Sequence, residues 1–409
     1  MTTIEAVRAR WLPRAWPWWA QTLTVYAAAR LLSLAGLAAV LAHQQPVVGM
    51  PEHSLPTFLG SWYDGVWYRR VAEEGYPREL PVDAAGGVRE NAWAFYPLYP
   101  LLVRALMTAT GGGWNLVAPL TSAVLGAAAM LVLYRLLLAG APAAVAARPG
   151  LPLATVALLS LYPASPVLAV GYTESLALLL VVLTLLLLVH RRYLWALPAV
   201  VALGFTRPVG LPLVVAVLAH AGLRWWRQRR GADRVGTGEW AGMAALAGTA
   251  GVSALVWPAI CGWVTGVPDA YLRTQQAWRQ VARFGPFGGW LPVLGDRPAL
   301  AVAWALAVVA VGALLASAAG RRLGVELVAW TVGYLGFLAA VLEPNSTSLV
   351  RFGLLAFPLV AAVLGLVARP AARARTWFAL LCVASVAGQA AWLWWIWRVT
   401  VGDAWTPAP

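Results

Sequence analysis

Lysine is missing from this 409-residue chain, and all thirty basic residues are Arg. Charge of either sign is scarce. Asp, Glu, Lys and Arg together make 11% of the residues, whereas soluble domains carry roughly 25%. Mean hydropathy is +0.71. These shortages exclude an ordinary soluble domain. They also exclude nucleic-acid binding as the reading of a pI of 10.6, because Arg in so apolar a chain serves membrane topology. Cysteine is limited to Cys261 and Cys382, which lie in separate apolar stretches. They read as small apolar fillers, with no disulfide framework or thiolate metal site. His43, His53, His190 and His220 show no metal-ligand spacing, so no metal is assigned. No Walker loop and no dinucleotide fingerprint occurs, which leaves no nucleotide site to expect.

What the chain does have is long apolar runs. Eleven stretches fit membrane crossings: 22–42, 114–134, 151–169, 173–190, 193–206, 208–224, 240–264, 298–319, 324–342, 349–368 and 376–398. A straight crossing needs roughly 20 residues. The fifth stretch is short, and the turn near Gly171 also suits a joint between two half-helices. Arg8, Arg10 and Arg14 precede the first stretch, which reads as a retained signal-anchor. With that N-terminus cytoplasmic, the inner segments hold seventeen Arg and four acids, and the outer segments hold twelve of each. This positive-inside bias sets the expected orientation. The expectation is one all-α polytopic domain over 1–409, with outer loops at 43–113 and 265–297.

The first outer loop concentrates chemistry. It holds seven of the sixteen acids: Glu52, Asp64, Glu73, Glu74, Glu79, Asp83 and Glu90. Asp64 sits in Ser61-Trp62-Tyr63-Asp64-Gly65. A carboxylate partly desolvated by aromatics at a membrane surface suits a general base; a solvated loop acid or helix cap is the other reading. Further along the loop, 94–106 is apolar but interrupted by Pro, which suits an interfacial helix. Arg69 and Glu73 have the spacing of a solvated helical pair.

Three more charges stand at the outer ends of apolar stretches. Glu174, in Tyr172-Thr173-Glu174-Ser175, is either a first-turn acid favoured by the helix dipole or a polar group facing a cavity. Arg207, in Phe205-Thr206-Arg207-Pro208, and Arg351, in Val350-Arg351-Phe352-Gly353, suit a lipid-linked phosphate. The alternatives are snorkelling to the headgroups or, for Arg351, pairing with Glu343. Arg30 lies inside the first stretch and reads as structural. The segment 273–283, with three Arg and Trp278, reads as an interfacial helix or as a cover over the site.

The blocks Trp62-Tyr63-Asp64-Gly65-Val66-Trp67-Tyr68, Val71-Ala72-Glu73-Glu74-Gly75-Tyr76 and Ala94-Phe95-Tyr96-Pro97-Leu98-Tyr99-Pro100 resemble the PIG-V family, GPI mannosyltransferase 2 and its bacterial homologues. Tyr172-Thr173-Glu174-Ser175-Leu176, Arg207-Pro208-Val209-Gly210 and Arg351-Phe352 resemble later blocks of that family, in the right order. Trp67 stands where family members often carry His. The resemblance implies a GT-C glycosyltransferase fold with its active site on the outer face of the plasma membrane. It implies inverting transfer of mannose from polyprenyl-phosphate mannose to a lipid-linked or cell-envelope glycan, with no cofactor beyond the lipid-borne donor. It further implies Asp64 as base, Arg351 and Arg207 at the donor phosphate, and Glu174, Trp67, Tyr68, Tyr96 and Tyr172 around sugar and acceptor. The competing readings are a transporter of lipid-linked sugars and a transferase using another polyprenyl-phosphate sugar.

Overall fold

The computed structural model describes residues 16–45, 54–279, 285–288, 290–368 and 370–399. Arg8, Arg10, Arg14, Glu52, His53, Arg283 and Arg369 lie outside them. The described residues form helices joined by loops, with no strand beyond one isolated bridge between Val82 and Val88. Fifteen helices carry the description: α1 Trp18–Ala42, α2 Asp64–Glu73, α3 Leu98–Thr110, α4 Trp114–Gly140, α5 Leu151–Ser160, α6 Glu174–Val189, α7 Tyr193–Gly204, α8 Gly210–Arg229, α9 Thr237–Thr265, α10 Ala270–Arg279, α11 Pro298–Ala316, α12 Val325–Val341, α13 Ser348–Phe352, α14 Pro358–Gly365 and α15 Ala371–Trp392.

Every apolar stretch of the sequence carries helix. Five helices among the described residues are long and apolar enough to cross a membrane: α1, α4, α9, α11 and α15 with its continuation to Trp397. A sixth candidate is the pair Ser348–Ala356 and Pro358–Gly365, bent by 73°. Pro358 sits at that bend and has no N–H to continue the ladder. The stretch 151–169 departs from a single span. Its α-helix ends at Ser160, a 3-10 helix follows at Ser165–Ala169, Pro163 stands in the break and Pro166 in the first turn of the 3-10 helix.

Arg30 explains how that break is held. It is buried in α1 and donates to the carbonyls of Ser160 and Ser165 and to Ser165 Oγ. A cation thus caps the carbonyl end of α5, where the helix dipole is negative. Gln389 of α15 donates to Ser165 Oγ at 3.0 Å, and its carbonyl lies 3.3 Å from Ser33 Oγ of α1. Three helices meet on one polar clip, which leaves the chain from Ser165 to Thr173 in fixed register before α6 begins.

The core mixes parallel neighbours, with Gly126 and Gly140 of α4 against Ser175 and Val189 of α6 and with Tyr193 and Gly204 of α7 against Gly242 and Ser253 of α9, and antiparallel ones. α4 packs along α6, α6 along α7, α7 along α9, and α8 along both α9 and α12. The bundle has two chemically different ends. The starts of α6 and α8 and the end of α12 lie at one end. The opposite end holds a polar chain: Glu326 accepts from His220 Nδ1 at 2.6 Å, and His220 Nε2 lies 3.0 Å from Tyr193 OH. Arg224 donates to Tyr193 OH at 2.9 Å and pairs with Asp233 and Glu239. A neutral His220 protonated on Nδ1 satisfies every member, because Tyr193 then donates to Nε2 and accepts from Arg224. Asp233, in the turn after α8, is held down to about 2 by its hydrogen bond from Arg224.

The loop before α4 is anchored, not free. Tyr76, Trp93, Tyr96 and Trp257 stack into a buried aromatic cluster that ties it to α9. α10 docks on the same loop through Asn91 Nδ2 to Thr274 Oγ1 at 3.1 Å and Trp278 Nε1 to Asn91 O at 3.1 Å. α3 is amphipathic. Tyr99, Pro100 and Val103 are buried while Leu101 and Leu106 are exposed, as an interfacial helix requires.

Candidate active site

Asp64 opens α2 from a tightly packed turn. The carbonyl of Gly60 accepts from Trp114 Nε1 at 2.8 Å and lies against Gly65 and Gly171. A Cβ on Gly65 would stand 2.5 Å from that oxygen, and one on Gly171 would stand 2.8 Å from it. Gly171 N donates to Leu59 O at 2.8 Å, and Tyr172 OH donates to Trp62 O at 3.2 Å. The segment carrying Asp64 is thereby locked onto the segment carrying Glu174. Gly65→Ala forces backbone against backbone. It is expected to cost about 1–3 kcal/mol, read as a lower unfolding midpoint in detergent, whereas Gly111→Asn, at an open left-handed cap, should be nearly silent.

Tyr63 bears the strain of this turn. Its φ is 49° and ψ is −120°, a region that side chains avoid. The ring is held by Trp62 and Trp397, and its hydroxyl donates to Ile396 O at 2.9 Å. The carboxylate of Asp64 follows at the first turn of α2, where the helix dipole favours a negative charge.

Four charges from four distant segments meet here. Arg351 Nη1 lies 2.6 Å from Asp64 Oδ2, and Arg351 Nε lies 3.3 Å from Glu174 Oε1. Arg207 pairs with the same Glu174 oxygen and donates from Nε to Thr173 Oγ1 at 3.0 Å. The side chains are 22% exposed for Asp64, 12% for Arg207, 6% for Arg351 and 1% for Glu174. Asp64 is therefore the member that meets the outside. Glu174 Oε2 is buried and has no hydrogen-bond partner among the described residues, an acceptor position that a ligand hydroxyl can fill. Phe352 lies under both guanidiniums, at 4.6 Å from Arg207 and 4.8 Å from Arg351, and Tyr172 lies 5.3 Å from Arg351. Tyr334 OH fixes the Phe352 carbonyl at 2.9 Å.

The expected neighbours divide into two groups. Tyr68 is buried with its hydroxyl 3.2 Å from Thr173 Oγ1, and Tyr172 forms a wall beside Arg351. Burial pushes both phenols up, and pushes Tyr63 to about 12. These hydroxyls stay protonated at neutral pH. Trp67 stands at the rim, stacked on Phe95 at 5.8 Å and edge-on to Trp278 at 5.1 Å, so α10 does reach over this side of the loop. Tyr96 is not part of the charged group. Its ring packs on Trp257 and its hydroxyl lies 3.3 Å from Tyr271 OH. Arg69–Glu73 and Arg70–Glu74 form exposed pairs on the solvent face of α2.

Three participants escaped sequence reading. Thr173 bridges Tyr68 and Arg207, Phe352 supports both guanidiniums, and Trp397 packs against Tyr172 at 6.0 Å. The first two are chain neighbours of Glu174 and Arg351, which was the available signal. No protein-family model matches this chain, and no curated protein matches it.

Proposed function

We propose that this chain is a GT-C glycosyltransferase of the PIG-V type. It would move mannose, with inversion, from polyprenyl-phosphate mannose to a lipid-linked or cell-envelope glycan. The observation that carries the reading is the group Asp64, Arg351, Glu174 and Arg207 at one end of an apolar helix bundle, with Glu174 and Arg351 buried and Asp64 the most exposed of the four. Ions in such a setting are expensive unless they have work to do. The proposal includes eleven crossings, a cytoplasmic N-terminus and a site on the outer face of the plasma membrane, supported by the distribution of Arg.

The chemistry follows from the placement. The acceptor oxygen bonds to C1 of the sugar as the bond from C1 to the phosphate oxygen breaks and its electron pair leaves with the phosphate. Asp64 takes the hydroxyl proton. Arg351 and Arg207 stabilise the leaving phosphate with charge-assisted hydrogen bonds. Attack and departure occur on opposite sides of C1, so the sugar has to lie between Asp64 and the guanidiniums. A phosphate that takes Arg351 competes with Asp64 for it. Parting that 2.6 Å pair both frees the base and makes the room. Glu174 anchors the two Arg through Oε1 and offers Oε2 to a sugar hydroxyl. Trp67, its ring stacked on Phe95 and covered by the Arg70 guanidinium, would border sugar or acceptor at the rim, with Tyr68 and Tyr172 as the inner wall.

The test is reconstitution in liposomes with polyprenyl-phosphate mannose labelled in the sugar, together with a glycolipid extract. Label should pass to the glycolipid fraction while free polyprenyl phosphate accumulates. Passage of intact donor across the bilayer without release of polyprenyl phosphate would instead make this a transporter. Turnover of polyprenyl-phosphate glucose alone would keep the chemistry and change the sugar.

A further inference from the structure

The end of the bundle opposite the charged group carries a different surface. Seven Arg fall within residues 191–234 at this end: Arg191, Arg192, Arg224, Arg227, Arg229, Arg230 and Arg234. Two nearby acids, Asp233 and Glu239, are already engaged by Arg224, with Arg191 also on Asp233. Arg192, Arg229, Arg230 and Arg234 are exposed and form no ion pair among the described residues. Two of them lie on aromatic rings one helical turn back. Arg229 is 4.9 Å from the Trp225 ring, and Arg230 is 4.0 Å from the Trp226 ring.

The same helix shows where this surface sits. Leu211, Val215, Leu218 and Trp225 are exposed at 54%, 41%, 58% and 49%, one apolar stripe along α8 that ends at Arg229. Leu211 and Arg229 are eighteen residues apart, about 27 Å of helix. That is close to the roughly 30 Å thickness of a hydrocarbon core. Lipid-facing side chains at one end of the stripe therefore put Arg229 and Trp225 at headgroup level at the other. Trp195, at the start of α7, is 73% exposed at the same end. An indole with its ring in the apolar boundary, beside an unpaired guanidinium in the headgroups, suits phosphate esters on lipid.

We propose that Arg229 and Arg230 on their Trp225 and Trp226 platforms, with Arg192 and Arg234, form a binding site for anionic phospholipid in the adjoining leaflet. Bidentate guanidinium contacts would select phosphate with a net negative headgroup over a zwitterionic one. The site lies at the far end of α8 from Arg207 and does not depend on the transferase reading.

Native mass spectrometry of the full-length protein in neutral detergent tests it. The probes are dioctanoyl phosphatidylglycerol and dioctanoyl phosphatidylcholine at equal concentration. The wild type should retain phosphatidylglycerol preferentially. Arg192→Gln/Arg229→Gln/Arg230→Gln/Arg234→Gln should reduce that preference by on the order of tenfold or more, while Arg104→Gln, an exposed Arg elsewhere, leaves it intact. Should the fourfold variant not fold, the wild type alone decides. Its preference must fall steeply between about 0.1 M and about 1 M NaCl, where screening of exposed charges becomes nearly complete. Retention of both lipids alike, survival of the preference in the fourfold variant, or indifference to salt overturns the proposal. So does selective capture of polyglutamate without any phospholipid preference, which would assign the surface to an acidic protein.

Discussion

On the proposed mechanism, Asp64→Asn is expected to lower sugar transfer by about 10²–10⁴-fold, the usual worth of a general base, while strengthening the hold on the anionic donor. The two effects have one cause. Asp64 and Arg351 share a 2.6 Å ion pair, and Arg351 is nearly buried, so a phosphate must win that guanidinium from the aspartate. Asn leaves the shape of the turn intact but gives up the charge. Arg351 keeps Glu174 as a partner and is not orphaned. A charged hydrogen bond is worth about 1.5–3 kcal/mol, so relief of the competition should tighten binding about tenfold or more. Binding of a short-chain polyprenyl phosphate by calorimetry and transfer of labelled sugar are the paired measurements. Transfer that survives in Asp64→Asn removes Asp64 from the base role. Transfer lost together with binding points to a collapsed site instead.

The second large effect concerns stability. Glu174→Leu should destabilise the fold by about 3–5 kcal/mol, the cost of removing one partner from a buried ion pair. Glu174 is 1% exposed and carries both Arg207 and Arg351 on one oxygen. Without it, Arg207 keeps, among the described residues, the Thr173 hydroxyl and the Phe352 ring, neither of which neutralises it. Glu174→Leu combined with Arg207→Leu removes charge and countercharge together, and a buried pair replaced by apolar side chains of similar volume is often tolerated. The double variant should therefore recover much of the loss while remaining inactive. Chemical denaturation in mixed micelles measures both. A single variant within about 1 kcal/mol of wild type would mean that the pair is effectively solvated and that the account of the site is wrong.

The four charges were legible in the sequence because each stands at the rim of an apolar run, where a charge is conspicuous. Their mutual arrangement was not. Glu343 was a candidate partner for Arg351, yet it acts electrostatically on Arg279, and Arg351 turns to Asp64 and Glu174. The cause is the short helix α13 and the 73° bend after it, which no periodicity announces in a stretch of uniformly apolar residues. The same uniformity hid the end of α5 at Ser160. Only Pro163 and Pro166 hinted at it, and Pro also occurs inside the continuous helices α4, α7 and α9. Trp67 and Tyr96 lie in neighbouring aromatic blocks of the first loop, but stacking partners brought in from α9 and α10 sent one to the rim of the site and the other into the scaffold.

Arg30 gives the first helix a duty beyond attachment. Its guanidinium ties off the carbonyls where α5 stops, and the strand of chain released there delivers Tyr172, Thr173 and Glu174 to their places. A foreign membrane anchor of equal length and greasiness grafted over 18–42 would insert equally well and leave those three residues without a foundation. Expression strategies that treat this hydrophobic segment as an exchangeable tether would yield a protein in the membrane with its group of four charges unbuilt.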